Sequence, residues 1–185
     1  MTRTVSSIVL VGVPGAGSTS VGAVLADRLG VELRDTERLA AGALGHDSVS
    51  GAFVVAGEEA FHDAETTVAL AELAAVAAGE PRVLVLGSGV LAAERVREAA
   101  AALEAPGVVE LTVTLAHAAP RLGLSLARPV FLGNPRAQWS RLAEERRALY
   151  ARVVRVVVDT DDADVEEVAG RVLDVIAGPR ESDDE

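Results

Sequence analysis

The sequence predicts an α/β sandwich in which one five-stranded parallel sheet carries helices on both faces. Five short apolar runs of strand length recur along the chain, and stretches with helical spacing separate them. Such alternation favours right-handed crossovers and a parallel sheet buried on both sides. The length agrees, since 185 residues and 19.0 kDa suit one domain with a sizeable core. Half of the residues are hydrophobic, only 3% are aromatic, and 34 are alanine. The interior is therefore expected to be aliphatic, with alanine where helices make contact.

The first apolar run, Ile8 to Val13, enters Gly12-Val13-Pro14-Gly15-Ala16-Gly17, after which Val21, Val24, Leu25 and Leu29 recur at helical spacing. This reads as strand, glycine loop and helix, with Gly30 as the stop. Val31 to Arg34 is a short second strand that delivers Asp35 to its carboxyl end. Helical stretches follow over Glu37 to Leu44 and Ser48 to Ala78, the second interrupted near Gly57. Val83 to Leu86 is the third strand and runs into Gly87-Ser88-Gly89, while Val108 to Val113 and Val153 to Val158 are the fourth and fifth. From Arg121 to Arg136 the pattern weakens into Gly, Pro and Asn, which suits a mobile segment better than core. An amphipathic helix over Val165 to Ile176 precedes Glu181-Ser182-Asp183-Asp184-Glu185. Residues 1–178 are thus expected to form one domain with a mobile segment over about 121–136, and residues 179–185 an acidic tail.

The side chains that are missing narrow the chemistry. All 17 residues counted as Lys or Arg are arginine, and there is no cysteine. Mechanisms that need a lysine ammonium, a thiolate, a disulfide or a thiolate metal site are excluded. A formal charge of -11 repels phosphate backbones and anionic surfaces, so neither nucleic acid nor a membrane is an expected partner. No run approaches the ~18 apolar residues of a membrane span, and the opening Met-Thr-Arg-Thr has no signal-peptide pattern. A soluble cytoplasmic protein is expected.

A phosphate-binding loop needs inward-turned N–H groups, glycines that allow positive φ, and a helix N-terminus facing the anion. Gly12, Gly17 and Thr19 match the P-loop pattern G-x-x-x-x-G-K-S/T, with Ser18 standing where the lysine belongs. The sandwich is accordingly read as a three-layer P-loop fold. Thr19 keeps the hydroxyl that would ligate Mg²⁺ beside a nucleotide. A lysine there would contribute about 4 kcal/mol of attraction at ~4 Å and an effective dielectric of ~20. Its loss from a transition state corresponds to about a thousandfold in rate. Ser18 is neutral and short, so any substitute cation must be an arginine from another segment.

Several motifs together resemble the shikimate kinases, small P-loop kinases of the nucleoside monophosphate kinase type. The resemblance runs from about Ile8 to Thr160. Val11-Gly12-Val13-Pro14-Gly15-Ala16-Gly17 is similar to that family's opening, and Leu33-Arg34-Asp35-Thr36-Glu37 to its Asp-Thr-Asp. Gly57-Glu58-Glu59-Ala60-Phe61-His62 is similar to Gly-Glu-x-x-Phe-Arg, with Glu65 also in place. Gly87-Ser88-Gly89 looks like the family's Gly-Gly-Gly. Arg121, Arg128 and Pro129 resemble its lid, and this resemblance adds an Arg-containing lid over about 121–136 to the expected fold. Arg146 with Leu149-Tyr150 resembles its Arg-x-Pro-Leu-Tyr, with Ala148 in place of the proline.

The resemblance implies ATP with Mg²⁺, shikimate as acceptor, and phosphorylation of its 3-hydroxyl in aromatic amino-acid biosynthesis. By the same resemblance, Gly15, Ala16, Gly17, Ser18, Thr19, Ser20, Arg121 and Arg128 bind nucleotide, and Thr19 and Asp35 support the metal. Asp35 and Arg128 are the implied catalytic residues, and Glu37, His62, Gly87, Ser88, Gly89 and Arg146 the implied acceptor site. Glu37 is one methylene longer than the family's aspartate, and His62 stands where an arginine would grip a carboxylate as a charged fork. Asp161-Asp162 follow Val158-Asp159-Thr160 where a basic residue is common near adenine.

Taken singly, these residues have plainer readings. Asp35 suits a helix N-cap, Glu37 a first-turn carboxylate, and Arg128 and Arg146 solvated charges. His62 suits a helix surface beside Glu59 and Asp63, Trp139 and Phe131 suit lid or core packing, and His46 and His117 have no metal-site spacing. Three functions fit the whole: a working but impaired kinase, a non-catalytic relative that binds ligands or a protein partner, and a kinase for another small molecule.

Overall fold

The computed structural model describes residues 7–104, 107–124 and 134–177. Arg128, Phe131 and the acidic tail lie outside the described residues. Five strands form one sheet: β1 (Ser7–Gly12), β2 (Glu32–Asp35), β3 (Arg82–Val85), β4 (Val108–Thr112) and β5 (Val154–Asp159). The order is β2-β3-β1-β4-β5, and every pairing is parallel. The expected α/β class and strand count hold, with strand ends displaced by at most one residue from the expected bounds.

The helices are α1 (Ser18–Leu29), α2 (Thr36–Ala43), α3 (Val49–Ala56), α4 (Glu58–Ala77), α5 (Glu94–Ala101), α6 (Leu115–Arg121), α7 (Pro135–Tyr150) and α8 (Val165–Ala177). Gly30 ends α1 in the left-handed conformation, φ 64, a backbone glycine adopts without steric cost. Gly57, φ 87, breaks the long helical stretch into α3 and α4. The segment from Arg121 to Arg136 begins as the end of α6 and finishes as a capped start of α7. There the Asn134 side chain accepts from the N–H groups of Arg136 and Ala137.

Right-handed crossovers place α1 on one face and the connections from β2 onward on the other, because the chain reverses direction across the sheet after β2. The packing of α1 on α8 and of α4 on α5 agrees. The neighbours β1 and β3 therefore send their following helices to opposite faces, which opens a crevice at their carboxyl ends. The glycine loop and Gly87-Ser88-Gly89 both emerge there. Ile8, Leu10, Leu84 and Val109 fill the sheet, and Ala69, Ala100, Ala118, Ala143 and Ala169 are the helices' buried alanines in the same core, all at 1% exposure or less.

Candidate functional site

A cavity of about 600 Å³ occupies the crevice. Its floor is the glycine loop, where Gly15 (φ 90) and Gly17 (φ 86) take the left-handed turns that lead into α1. Gly17 is the N-cap and supplies no side-chain acceptor, so the first N–H groups of α1 are left for an anion. Donors from outside hold the loop's carbonyls: the Tyr150 hydroxyl lies 3.3 Å from Gly12 O, Trp139 Nε1 donates to Pro14 O at 2.9 Å, and Arg121 Nη1 donates to Gly15 O at 3.0 Å. Gly15, Ala16, Gly17, Ser18, Thr19, Ser20 and Arg121 all line the cavity.

Asp35 ends β2 and caps α2, one carboxylate oxygen accepting from Arg38 N–H at 3.2 Å and the other from the Thr19 hydroxyl at 2.8 Å. The two residues named for the metal are therefore in contact, and they offer hard oxygen ligands of the kind Mg²⁺ takes. The plainer N-cap reading of Asp35 holds as well.

The acceptor side is built around Gly87. The fully buried Thr36 hydroxyl accepts the Gly87 N–H at 2.9 Å and donates to Glu65 Oε1 at 2.9 Å. A β-carbon on Gly87 would lie 2.0 Å from Glu65 Oε1 and 2.6 Å from Glu37 Cγ, so this backbone approach requires glycine. Burial, then the Glu65 and Asp35 charges, push the Glu37 carboxyl up to about 7, against the Ser88 N–H and His62, which favour the anion. Burial and the Asp35 charge also raise Glu65, opposed by the Thr36 hydroxyl and Arg146.

Two nitrogen side chains close the ring. A β-carbon on Gly89 would lie 3.2 Å from Arg146 Nη2 and 3.6 Å from His62 Cε1. His62 reaches Glu58 at 3.6 Å and Glu65 at 3.8 Å, and stands edge-on to Phe53 and Phe61. The surface reading holds in part, since the side chain is 41% exposed on α4, while its ring edge also reaches the acceptor loop at Gly89. Among the described residues Arg146 Nε is buried with no hydrogen-bond partner, which is not the state of a solvated surface charge.

At the far end, Arg121 Nη2 donates to Thr160 O at 3.0 Å. Asp161 accepts from Thr114 N–H at 3.0 Å, and His117 lies 3.1 Å from Asp161 and 3.0 Å from Asp162. Burial would raise the Asp161 carboxyl, but the Thr114 donors and the charges of His117 and Arg121 hold it below its ordinary value. The acidic pair is thus engaged with α6. Among the described residues no cluster of three metal-ligating side chains occurs, and no helix is long and apolar enough to cross a membrane.

The family model for shikimate kinase matches residues 14–177. The chain belongs to the shikimate kinase family. The shikimate kinase of Thermobifida fusca is 44% identical over 161 residues, 87% of this chain and 89% of that one. That of Salinispora arenicola is 41% identical over 169 residues, 91% and 96%. Among solved structures, the shikimate kinase from Acinetobacter baumannii in complex with shikimate superposes with a TM-score of 0.76 at 28% identity, covering 94% of each chain.

Within this shikimate kinase fold, the residues expected from the sequence gather in one crevice: the glycine loop, Asp35, Glu37, Gly87 and Ser88 on the cavity wall, with Gly89, His62 and Arg146 beside it. Arg128 lies outside the described residues. The sequence reading missed two partners, the Thr36 hydroxyl and the Trp139 N–H. Thr36 carried a signal in its place between two acidic candidates, whereas Trp139 carried none.

Proposed function

We propose that the chain binds ATP with Mg²⁺ in this cavity and transfers the γ-phosphoryl group to the 3-hydroxyl of shikimate, at a rate lowered by Ser18. The observation that carries the acceptor class is the buried Arg146 Nε, without a hydrogen-bond partner among the described residues, beside the Gly87-Ser88-Gly89 loop, a cation held ready for a carboxylate. The loop N–H groups and the α1 N-terminus receive the phosphates. Thr19 and Asp35 would hold the metal, which when bound neutralises phosphate charge. Glu37 stands to accept the hydroxyl proton as the oxygen attacks, its value near 7 suiting that transfer at neutral pH. Phosphoryl transfer depends on positioning and charge neutralisation, so a loop without its lysine is expected to bind better than it turns over.

A second reading, a ligand-binding relative without catalysis, is favoured by Ser18 and His62 changing both halves of the site. A coupled assay of ADP release separates the two. Shikimate-dependent turnover above a Thr19→Ala control supports the kinase, and its absence overturns it. Ser18→Lys is expected to raise turnover by about a thousandfold. A single cytoplasmic domain over residues 1–178, with Arg128 completing the phosphate side from the lid, belongs to the same proposal.

A further inference from the structure

The carbonyls of the phosphate loop are partnered one after another. Gly12 O faces the Tyr150 hydroxyl, Val13 O accepts Ala16 N–H at 3.0 Å, Pro14 O accepts Trp139 Nε1 at 2.9 Å, and Gly15 O accepts Arg121 Nη1 at 3.0 Å. In a trans peptide the C=O and the following N–H point to opposite sides of the chain. Holding Pro14 O against α7 therefore turns the Gly15 N–H away from α7. That peptide is free to flip, because Gly15 at φ 90 pays no side-chain penalty for either orientation. A flipped peptide would present a carbonyl oxygen to the phosphates in place of an N–H. Trp139 is 7% exposed, and its indole N–H is a pure donor that needs an acceptor once buried. It sits in the second turn of α7, 125 residues from Pro14 in sequence.

We propose that Trp139 is a positioning residue for the phosphate loop: its indole N–H holds the Pro14 carbonyl outward and so orients the Gly15 N–H for the polyphosphate of a nucleotide. With Ser18 leaving the loop without a cation of its own, orientation of the backbone dipoles carries more of the binding. The inference rests on nucleotide binding at this loop, as proposed above.

Trp139→Phe keeps an aromatic ring in place and removes the donor. Calorimetry should find Mg·ATP bound about tenfold more weakly, with adenosine, which has no phosphate, bound as before. Trp139 is the chain's one tryptophan. Global replacement of tryptophan by benzothienylalanine, which keeps the bicyclic shape but has no N–H, should give the same split and guards against a folding defect in the phenylalanine variant. Unchanged ATP affinity in both forms, or an equal loss for adenosine, overturns the positioning role while leaving the kinase reading intact. A wild-type chain that binds no Mg·ATP overturns both.

Discussion

The Thr36 hydroxyl and the Glu65 carboxylate are joined by a buried 2.9 Å hydrogen bond, and the same hydroxyl takes the N–H of Gly87. One side-chain oxygen thus ties α2, α4 and the loop after β3. Thr36→Val keeps the shape but strands a buried N–H and a buried carboxylate, so the urea midpoint should fall by the equivalent of about 2–3 kcal/mol. Thr36→Ser should recover most of it.

Glu37 makes stability depend on pH. Its carboxyl is raised from 4.5 to about 7, so between those values the folded chain holds a proton that the unfolded chain has released. The favourable contribution is complete below about pH 4.5 and is lost as pH rises through about 7. Glu37→Gln, which cannot ionise, should equal wild type near pH 4 and exceed it at pH 8 by up to about 3 kcal/mol in denaturant titrations. In the wild type kcat/KM should rise through pH 7 as the carboxylate forms, and the variant should lose that limb.

His62→Arg places a second guanidinium beside Arg146 at the Gly89 backbone. A charge-assisted bond to a carboxylate is worth about 1.5–3 kcal/mol. Shikimate affinity measured by calorimetry should therefore rise at least tenfold, with Mg·ATP affinity unchanged. An equal change in both would show that the substitution acts on the fold.

Tyr150 spans the two halves of the site. Its buried hydroxyl donates to Ser88 O at 2.8 Å and lies 3.3 Å from Gly12 O. Since it has one proton, the shorter contact is the bond and Gly12 O receives the weaker share. Tyr150→Phe should lower thermal stability by about 1–2 kcal/mol and weaken both ligands, unlike His62→Arg.

Much of this architecture is legible locally. Strand, glycine loop and helix follow from Ile8 to Leu29, and Gly30 and Gly57 mark real breaks, because turn chemistry needs only neighbouring residues. The candidate residues were legible as a set because strand ends deliver them. Their contacts were not. Thr36 meets Gly87 across 51 positions and Trp139 meets Pro14 across 125, and such pairings exist only once the strand order is fixed. Asp161 and Asp162 read as misplaced charges until His117 and Thr114 are seen to face them. Arg146 reads as a surface charge until α7 docks and buries its Nε.

The alanine-lined contacts reverse the usual pattern of mutational damage. Ala69, Ala118 and Ala169 are fully buried, and Ala100 and Ala143 nearly so. Trimming such a position removes one methyl and leaves almost no void, whereas enlargement forces neighbouring side chains and backbone to shift, at a cost of about 1–3 kcal/mol. Helix seams in this chain are thus closed to growth rather than sensitive to loss.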